Sequence, residues 1–247
     1  MKIIAIDSSG LVASVAIVED DNLIAEYNVQ FKKTHSQTLL PMLDELKGMV
    51  ELDLDTVDGI AISKGPGSFT GLRIGSATAK GLSWALDIPI IEIGTLMGMA
   101  CNFYGMDEII CPMMDARRSQ VYTGVFTYEF KDNAYTLSTL LDECALSVDE
   151  IIDRLNELSV KLNKKIILLG DGVPVYEDVI KDKLKAPFIF APAHLNRQRA
   201  SAFAYLAMEK LKNNETVNSY EHAPEYLRLS QAERERNEGI RNKGSNY

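Results

Sequence analysis

Apolar and polar positions change period repeatedly along this chain, and each change marks an element. Ile3-Ile4-Ala5-Ile6 is a short apolar strand that ends at Asp7-Ser8-Ser9-Gly10. Val12 to Val18 predicts a second strand, turned by Glu19-Asp20-Asp21-Asn22 into a third over Leu23 to Val29. Thr34 reads as the cap of a helix, with Gln37 three residues on as its capping-box partner. That helix carries Leu39, Leu40, Met42, Leu43, Leu46 and Met49, and Pro41 should loosen one of its turns. Val57 to Ser63 predicts a buried strand, Gly65 to Gly71 a loop, Leu72 to Leu86 a helix and Ile88 to Ile93 the next strand.

A fainter copy follows. Ile109 to Met114 is apolar and ends at Asp115, as the first strand ends at Asp7. Val121 to Phe130 turns at Lys131-Asp132-Asn133 into Ala134 to Leu141, again a hairpin. Ser147 caps a helix through Leu158, Lys165 to Leu169 is a strand, Val173 to Lys183 is helical, and Phe188 to Phe190 is a short strand. The order strand, Asp turn, hairpin, helix, strand thus occurs twice, which predicts a duplicated α/β unit. The expected division is a first lobe over 1–105 and a smaller one over 106–196. A C-terminal helix begins near Arg197, and the segment at about 197–230 is expected to fold back on the first lobe. The stretch 237–247 lacks apolar periodicity and is expected to be loose.

Composition narrows the function classes. Of 247 residues, 26 are Lys or Arg and 35 are Asp or Glu, a net charge of -9 that makes a poor stand-alone nucleic-acid binder. Work on RNA would need a partner to hold it. Cys101, Cys111 and Cys144 form no C-x-x-C pair, which fits neither a disulfide framework nor a structural zinc site. The start of the chain lacks the plan of a signal peptide, and no run reaches the ~20 apolar residues of a spanning helix. A cytoplasmic protein with no membrane association is expected.

The candidate chemistry is sparse. Gly65-Pro66-Gly67-Ser68-Phe69-Thr70-Gly71 follows a strand and precedes a helix, so its amides, at Gly67 and Ser68 above all, could cradle an anion. It lacks the Lys-Ser or Lys-Thr of a P-loop, and a tight structural turn is the competing reading. Asp7 and Asp115 could hold a metal and phosphate between them, or each could close its own turn. Arg118, beside Arg117 and Asp115, is either a phosphate contact or a solvated turn. His35, His194 and His222 are too far apart to be helix-borne metal ligands, and neither G-x-S-x-G nor a Cys–His motif supplies a nucleophile. The helix after the loop sets Gly71, Gly75 and Ala79 four apart, a spacing that admits another helix closely. Both it and the Leu/Met-rich helix at 34–50 carry apolar residues on more than one face. Their second face either seats them on their own sheet or meets a partner subunit.

Three segments together resemble one family. Ile6-Asp7-Ser8-Ser9 with Ala13-Ser14-Val15-Ala16, the string Gly65 to Gly75, and Pro224-Glu225-Tyr226-Leu227-Arg228 with Ala232-Glu233 look like the TsaB (formerly YeaZ) family of bacterial tRNA threonylcarbamoyladenosine biosynthesis. His35-Ser36-Gln37 with Leu39-Leu40-Pro41-Met42 also fits. The resemblance implies an actin-like (sugar kinase, Hsp70, actin) fold of two related lobes. It implies a non-catalytic adaptor that binds and activates TsaD directly through helices, meets the ATPase TsaE through the complex and tRNA indirectly, and pairs with itself when isolated. No cofactor of its own is implied; ATP and a divalent metal belong to the partners. TsaD-type chains carry a His-x-x-x-His metal pair on a helix where this chain reads Gly94-Thr95-Leu96-Met97-Gly98-Met99-Ala100. The implied interface comprises Leu39, Met42, Leu43 and Leu46 on one helix, and Leu72, Gly75, Thr78, Ala79 and Leu82 on the other. Gly75→Leu is accordingly expected to abolish partner binding and leave the monomer folded. The rival readings are an actin-like ATPase or sugar kinase using Asp7, Asp115 and the glycine loop, and a glycoprotease-like metallopeptidase.

Overall fold

The computed structural model describes residues 1–31 and 34–228; the stretch 237–247 and the end of the C-terminal signature, Ala232-Glu233, lie outside them. Strands β1 (Lys2–Asp7), β2 (Val12–Glu19) and β3 (Asn22–Gln30) form the expected meander. Helix α1 (His35–Met49), strand β4 (Gly59–Gly65), helix α2 (Phe69–Leu86) and strand β5 (Ile90–Gly94) complete the first unit. A short helix, α3 (Thr95–Ala100), leads to β6 (Ile109–Asp115), β7 (Gln120–Lys131), β8 (Ala134–Ser147), α4 (Val148–Leu162) and β9 (Ile166–Leu169). Helices α5 (Gly172–Val175) and α6 (Glu177–Lys183), strand β10 (Phe188–Phe190) and helix α7 (Ala200–Lys212) follow.

The first sheet has the order β3-β2-β1-β4-β5 and the second β8-β7-β6-β9-β10. Each is a meander of three antiparallel strands whose first strand then pairs in parallel with the fourth. Two copies of this topology in one chain are the actin-like fold, and the duplication read from the strand pattern is present in full.

Alternation explains the layers, because successive side chains of a strand point to opposite faces. Ile4 and Ile6 of β1, with Ile60 and Ile62 of β4, face α1 and α2. Ile3 and Ala5, with Ala61, Ile91 and Ile93, face Phe203, Ala204 and Ala207 of α7. Both faces of the first sheet are therefore covered, as a parallel pair requires. In the second sheet Ile109, Cys111, Ile166 and Leu168 meet Ile151, Ile152 and Leu155 of α4. Its other face, with Ile110, Met114, Phe126 and Ile167, packs on Leu96 and Met99 of α3. This last cluster joins the two sheets.

Several local expectations need correction. Thr34 makes no side-chain cap, because its hydroxyl lies by Ser36 Oγ at 3.4 Å rather than at an amide of the first turn. The capping box stands on α4 instead: Ser147 Oγ accepts from the Glu150 amide at 3.2 Å and the Ser147 amide donates to Glu150 Oε2 at 2.9 Å. Helix α1 runs unbroken through Pro41. Helix α2 starts a turn earlier than expected, because Ser68 Oγ accepts from the Gly71 amide and draws Phe69-Thr70-Gly71 into the helix. The single helix expected over Val173 to Lys183 is two, parted at Tyr176.

Candidate functional site

The chain's unusual strings converge where β1, β4 and α2 meet. Asp7 ends β1 fully buried, and its Oδ1 accepts from the Ser9 amide at 3.2 Å. Its Oδ2 is buried without a hydrogen-bond partner among the described residues. Burial pushes the carboxyl up to about 6, against the pull of the hydrogen bond from Ser9. His35, in the first turn of α1, donates through Nε2 to the Gly10 carbonyl at 2.8 Å; a carbonyl can only accept, so that nitrogen carries the proton.

The glycine loop closes on this turn. The Ser68 amide donates to the Ser9 carbonyl at 2.6 Å and Ser8 Oγ donates to the Gly71 carbonyl at 2.9 Å. A Cβ at Gly67 would meet the Ser9 carbonyl and one at Gly71 the Ser8 carbonyl. The small residues are thus needed for backbone to lie on backbone. The tight-turn reading accounts for the loop, and the Ser68 amide is turned inward rather than to an anion.

The C-terminal signature lies over the same loop. The Glu225 amide donates to the Lys64 carbonyl at 2.6 Å, and the Glu225 carbonyl sits where a side chain at Gly65, with its φ of +119°, would be. Tyr226 stacks on Phe69 with ring centroids 4.6 Å apart, Arg73 lies 4.0 Å over Phe69, and Arg73 Nε donates to Tyr226 Oη at 3.2 Å. Arg228 reaches across to donate to the Ala116 carbonyl. Upstream, His222 is buried with Nδ1 2.6 Å from Glu92 Oε1, a bond that holds the Glu92 carboxyl below its ordinary value. Segments more than a hundred residues apart in sequence form one structure here.

Asp115 closes its own turn by accepting from the Arg117 amide at 2.8 Å, and it is also held by Tyr176 Oη at 3.1 Å and Arg117 Nη1 at 3.3 Å. Its amide donates to Asp171 Oδ1 at 3.1 Å, and burial raises the Asp171 carboxyl. Arg118 stands exposed in a left-handed turn. Between the two aspartate turns lies Gln198, buried, with Nε2 3.5 Å from Ser9 Oγ and 3.7 Å from Met114 Sδ. It also lies 2.7 Å from where a side chain would begin at Gly10. The Gln198 amide thus fills the space between the two turns.

Sequence reasoning missed Gln198, because an isolated Gln before a helix carries no pattern. It also missed Glu26 and Glu143. Glu26 accepts from Arg199, from the Ser201 amide at 3.0 Å and from Ser201 Oγ at 2.6 Å, and so fixes the start of α7 on β3. Glu143 of β8 accepts from the Met97 amide at 2.7 Å and ties the second sheet to α3; burial pushes its carboxyl up to about 7. Cys101 and Cys111 are buried and unpaired, and desolvation pushes their thiols up to about 11 and about 12, so neither is an activated nucleophile.

The residues read as an interface need correction as side chains. Leu39, Met42, Leu43 and Leu46 of α1 and Leu72, Gly75 and Ala79 of α2 are buried inside the chain. Thr78 and Leu82 are half-buried, and Thr78 Oγ1 donates to the Ile74 carbonyl at 2.9 Å. A Cβ at Gly75 would meet Ser8 Oγ, and Ile62 Cδ1 at 3.2 Å. Gly75→Leu would therefore disrupt the chain's own packing, contrary to the expectation of a folded monomer. What α1 and α2 turn outward is another set: Leu40, Met49, Arg73, Ala77, Gly81 and Trp84, with Trp84 70% exposed.

Among the described residues no three or more His, Cys, Asp or Glu side chains are grouped to hold a metal ion, and no helix is long and apolar enough to cross a membrane. A family model described as TsaD: tRNA N6-adenosine threonylcarbamoyltransferase matches residues 28–236. The tRNA threonylcarbamoyladenosine biosynthesis protein TsaB of Bacillus subtilis is 34% identical, over 94% of this chain and 96% of its own length. The protein of the same name from Haemophilus influenzae is 28% identical, over 92% of this chain and 94% of its own. A solved structure titled YeaZ from Pseudomonas aeruginosa superposes with a TM-score of 0.75 at 24% identity, covering 92% of this chain and 99% of that one. Sequence kinship along nearly the whole length and the same duplicated fold agree: the chain belongs to the TsaB (YeaZ) family of tRNA threonylcarbamoyladenosine biosynthesis proteins.

Proposed function

We propose that this protein serves tRNA threonylcarbamoyladenosine synthesis as a non-catalytic subunit that docks on a TsaD-type transferase through the outward faces of α1 and α2. The observation that carries the reading is Gly81. It lies in the middle of an 18-residue helix, yet a Cβ there would meet nothing within 4 Å. Glycine within a helix costs about 0.5–1 kcal/mol relative to alanine. Nothing in this chain's own packing requires it, whereas a helix from another subunit would. Gly48, near the end of α1, is equally open, and Leu40, Met49 and Trp84 are exposed apolar side chains of the same two helices.

The absence of independent catalysis is supported at α3. Gly98 stands in the stretch aligned with the metal-binding helix of TsaD-type chains, and a Cβ there would lie 2.6–2.8 Å from ring atoms of Phe203. Helix α7 covers this face of α3, so no ligand side chain fits at Gly98. The Asp7 and Asp115 turns, bridged by Gln198, likewise speak against the ATPase or sugar-kinase rival. ATP and a divalent metal then belong to the partners, tRNA is met through the complex, and the site of action is the cytoplasm. The same exposed face would let two copies pair when no partner is present.

The test uses Gly81→Leu in place of Gly75→Leu. Pull-down of a co-expressed TsaD-type partner should be lost while circular dichroism and the thermal midpoint stay within a few degrees of wild type. Retention of the partner by a folded Gly81→Leu protein would overturn the docking face. Nucleotide hydrolysis by the purified chain, lost in Asp7→Ala, would overturn the non-catalytic role.

A further inference from the structure

A second site lies on the far side of the first sheet from α1 and α2, where the β7–β8 hairpin approaches α7. Tyr128, Tyr135, Tyr205 and Glu209 line a cavity of about 270 Å³ there, with Met97 and Leu137 as its apolar wall. Tyr104 stands behind it as a hub, with ring centroids 5.4 Å from Tyr128, 5.7 Å from Tyr135 and 5.4 Å from Tyr205. Tyr128 and Tyr135 are 6.5 Å apart at 87°. The close approach of Tyr135 uses Gly105, where a Cβ would touch its ring at 3.2 Å.

Rings inclined this steeply cover one another only in part. Tyr104 is 51%, Tyr135 40% and Tyr205 48% exposed, so a large part of each remains open to solvent. A core cluster would not leave them so. The charge of the cavity favours the same occupant. Glu209 lies one helical turn from Tyr205 on α7, and Glu215 also lines the space. The one cation of the lining, Lys210, is engaged by the Glu92 carbonyl, to which its Nζ donates at 3.0 Å, so the two carboxylates outnumber it. Tyr128 Oη is buried with no hydrogen-bond partner among the described residues. Burial raises the Tyr128 and Tyr205 phenols well above their ordinary range, so both stay neutral.

We propose that this cavity binds an organic cation, an ammonium or guanidinium group, against Tyr128, Tyr135 and Tyr205 with Glu209 as counter-charge. The group could be borne by a small amine or by a Lys or Arg side chain of a bound protein; the recognition chemistry is the same. It is independent of the α1–α2 face.

Ligand-observed NMR with the full-length protein tests it, using choline and its neutral isostere 3,3-dimethyl-1-butanol. Choline should bind about tenfold more tightly than the isostere, and Tyr205→Leu should weaken choline binding by about tenfold while Tyr205→Phe, which keeps the ring, retains it. Glu209→Gln should weaken choline by a few-fold, and this exposed substitution answers even where Tyr205→Leu fails to fold. A short peptide with one lysine, compared with its glutamine version, separates the sources. Tighter binding of the lysine peptide than of choline points to a partner's side chain, the reverse to a small amine, and either supports the site. Equal binding of choline and the isostere, or undiminished binding in a folded Tyr205→Leu and in Glu209→Gln, would overturn it.

Discussion

Asp7 and Asp115 hold the same place in two copies of one topology, and the difference between them shows what a duplicated fold leaves free. Both end the first strand of their sheet, and both accept a hydrogen bond from the amide two residues on. Around Asp7 the glycine loop and α2 shut out solvent, leaving one carboxyl oxygen unpartnered and the group protonated more readily than usual. Around Asp115 the following helices are short, Arg117 and Tyr176 reach the carboxyl, and the side chain keeps 11% of its surface exposed. Topology sets the position of a residue, while the elements packed on the turn set its chemistry.

The largest effect expected from breaking this comparison is at Gly75, which lets α2 press on the Asp7 turn. Gly75→Leu should destabilise the chain by about 3 kcal/mol or more, because the clash is with Ser8 and with Ile62 in the core. Scanning calorimetry should show the midpoint lowered by about 10 °C, against little change for Gly81→Leu. A folded Gly75→Leu protein with wild-type stability would show that the first lobe is looser than its packing implies.

Next in size is the pH response of Asp7, set against a simple substitution at Asp115. The folded Asp7 carboxyl titrates at about 6, above the 3.8 of an unperturbed group, so the folded chain binds the extra proton. Its contribution to stability is fully present below pH 3.8 and declines as pH rises toward 6 and beyond. Asp7→Asn should therefore raise stability at pH 7.5 by on the order of 2 kcal/mol, with the gain vanishing near pH 4. Asp115→Asn, at a partly solvated turn, should lower stability by about 0.5–1 kcal/mol. Urea unfolding across pH compares the two variants, and an Asp7→Asn profile parallel to wild type would contradict the raised titration of the buried Asp7 carboxyl.

The smallest contrast is between the first helices of the two units. Ser147→Ala removes a complete capping box and should cost about 1 kcal/mol, whereas Thr34→Ala, with no cap to lose, should change stability by a few tenths at most. Equal losses at the two positions would mean that Thr34 caps α1 in solution.

Legibility in the sequence followed the range of the interaction. Strands with both faces buried, the hairpin turns and the Ser147 cap depend on neighbours a few residues away, and all were readable. The twofold order of strands, Asp turns and helices was enough to predict a duplicated α/β unit; the glycine loop with the Pro224–Arg228 string was enough to point to the family, and that resemblance implied the actin-like fold. Helix boundaries shifted where a side chain at one position, such as Ser68, drew the residues that follow it into the first turn.

Hydrophobic spacing by itself determined that α1 and α2 are doubly apolar helices; it did not determine which apolar face looks inward. Only the tertiary structure decided that Leu39, Met42, Leu43, Leu46 and Leu72 seat the helices and that Leu40, Met49 and Trp84 are turned to solvent. It alone brought Gln198 between the two aspartate turns, laid Glu225 and Tyr226 over the glycine loop, and stacked Phe203 on Gly98. The physical reason is that periodicity is a property of one element, whereas burial and clash belong to pairs of elements. Partners a hundred residues apart leave no spacing in the chain from which their meeting can be read.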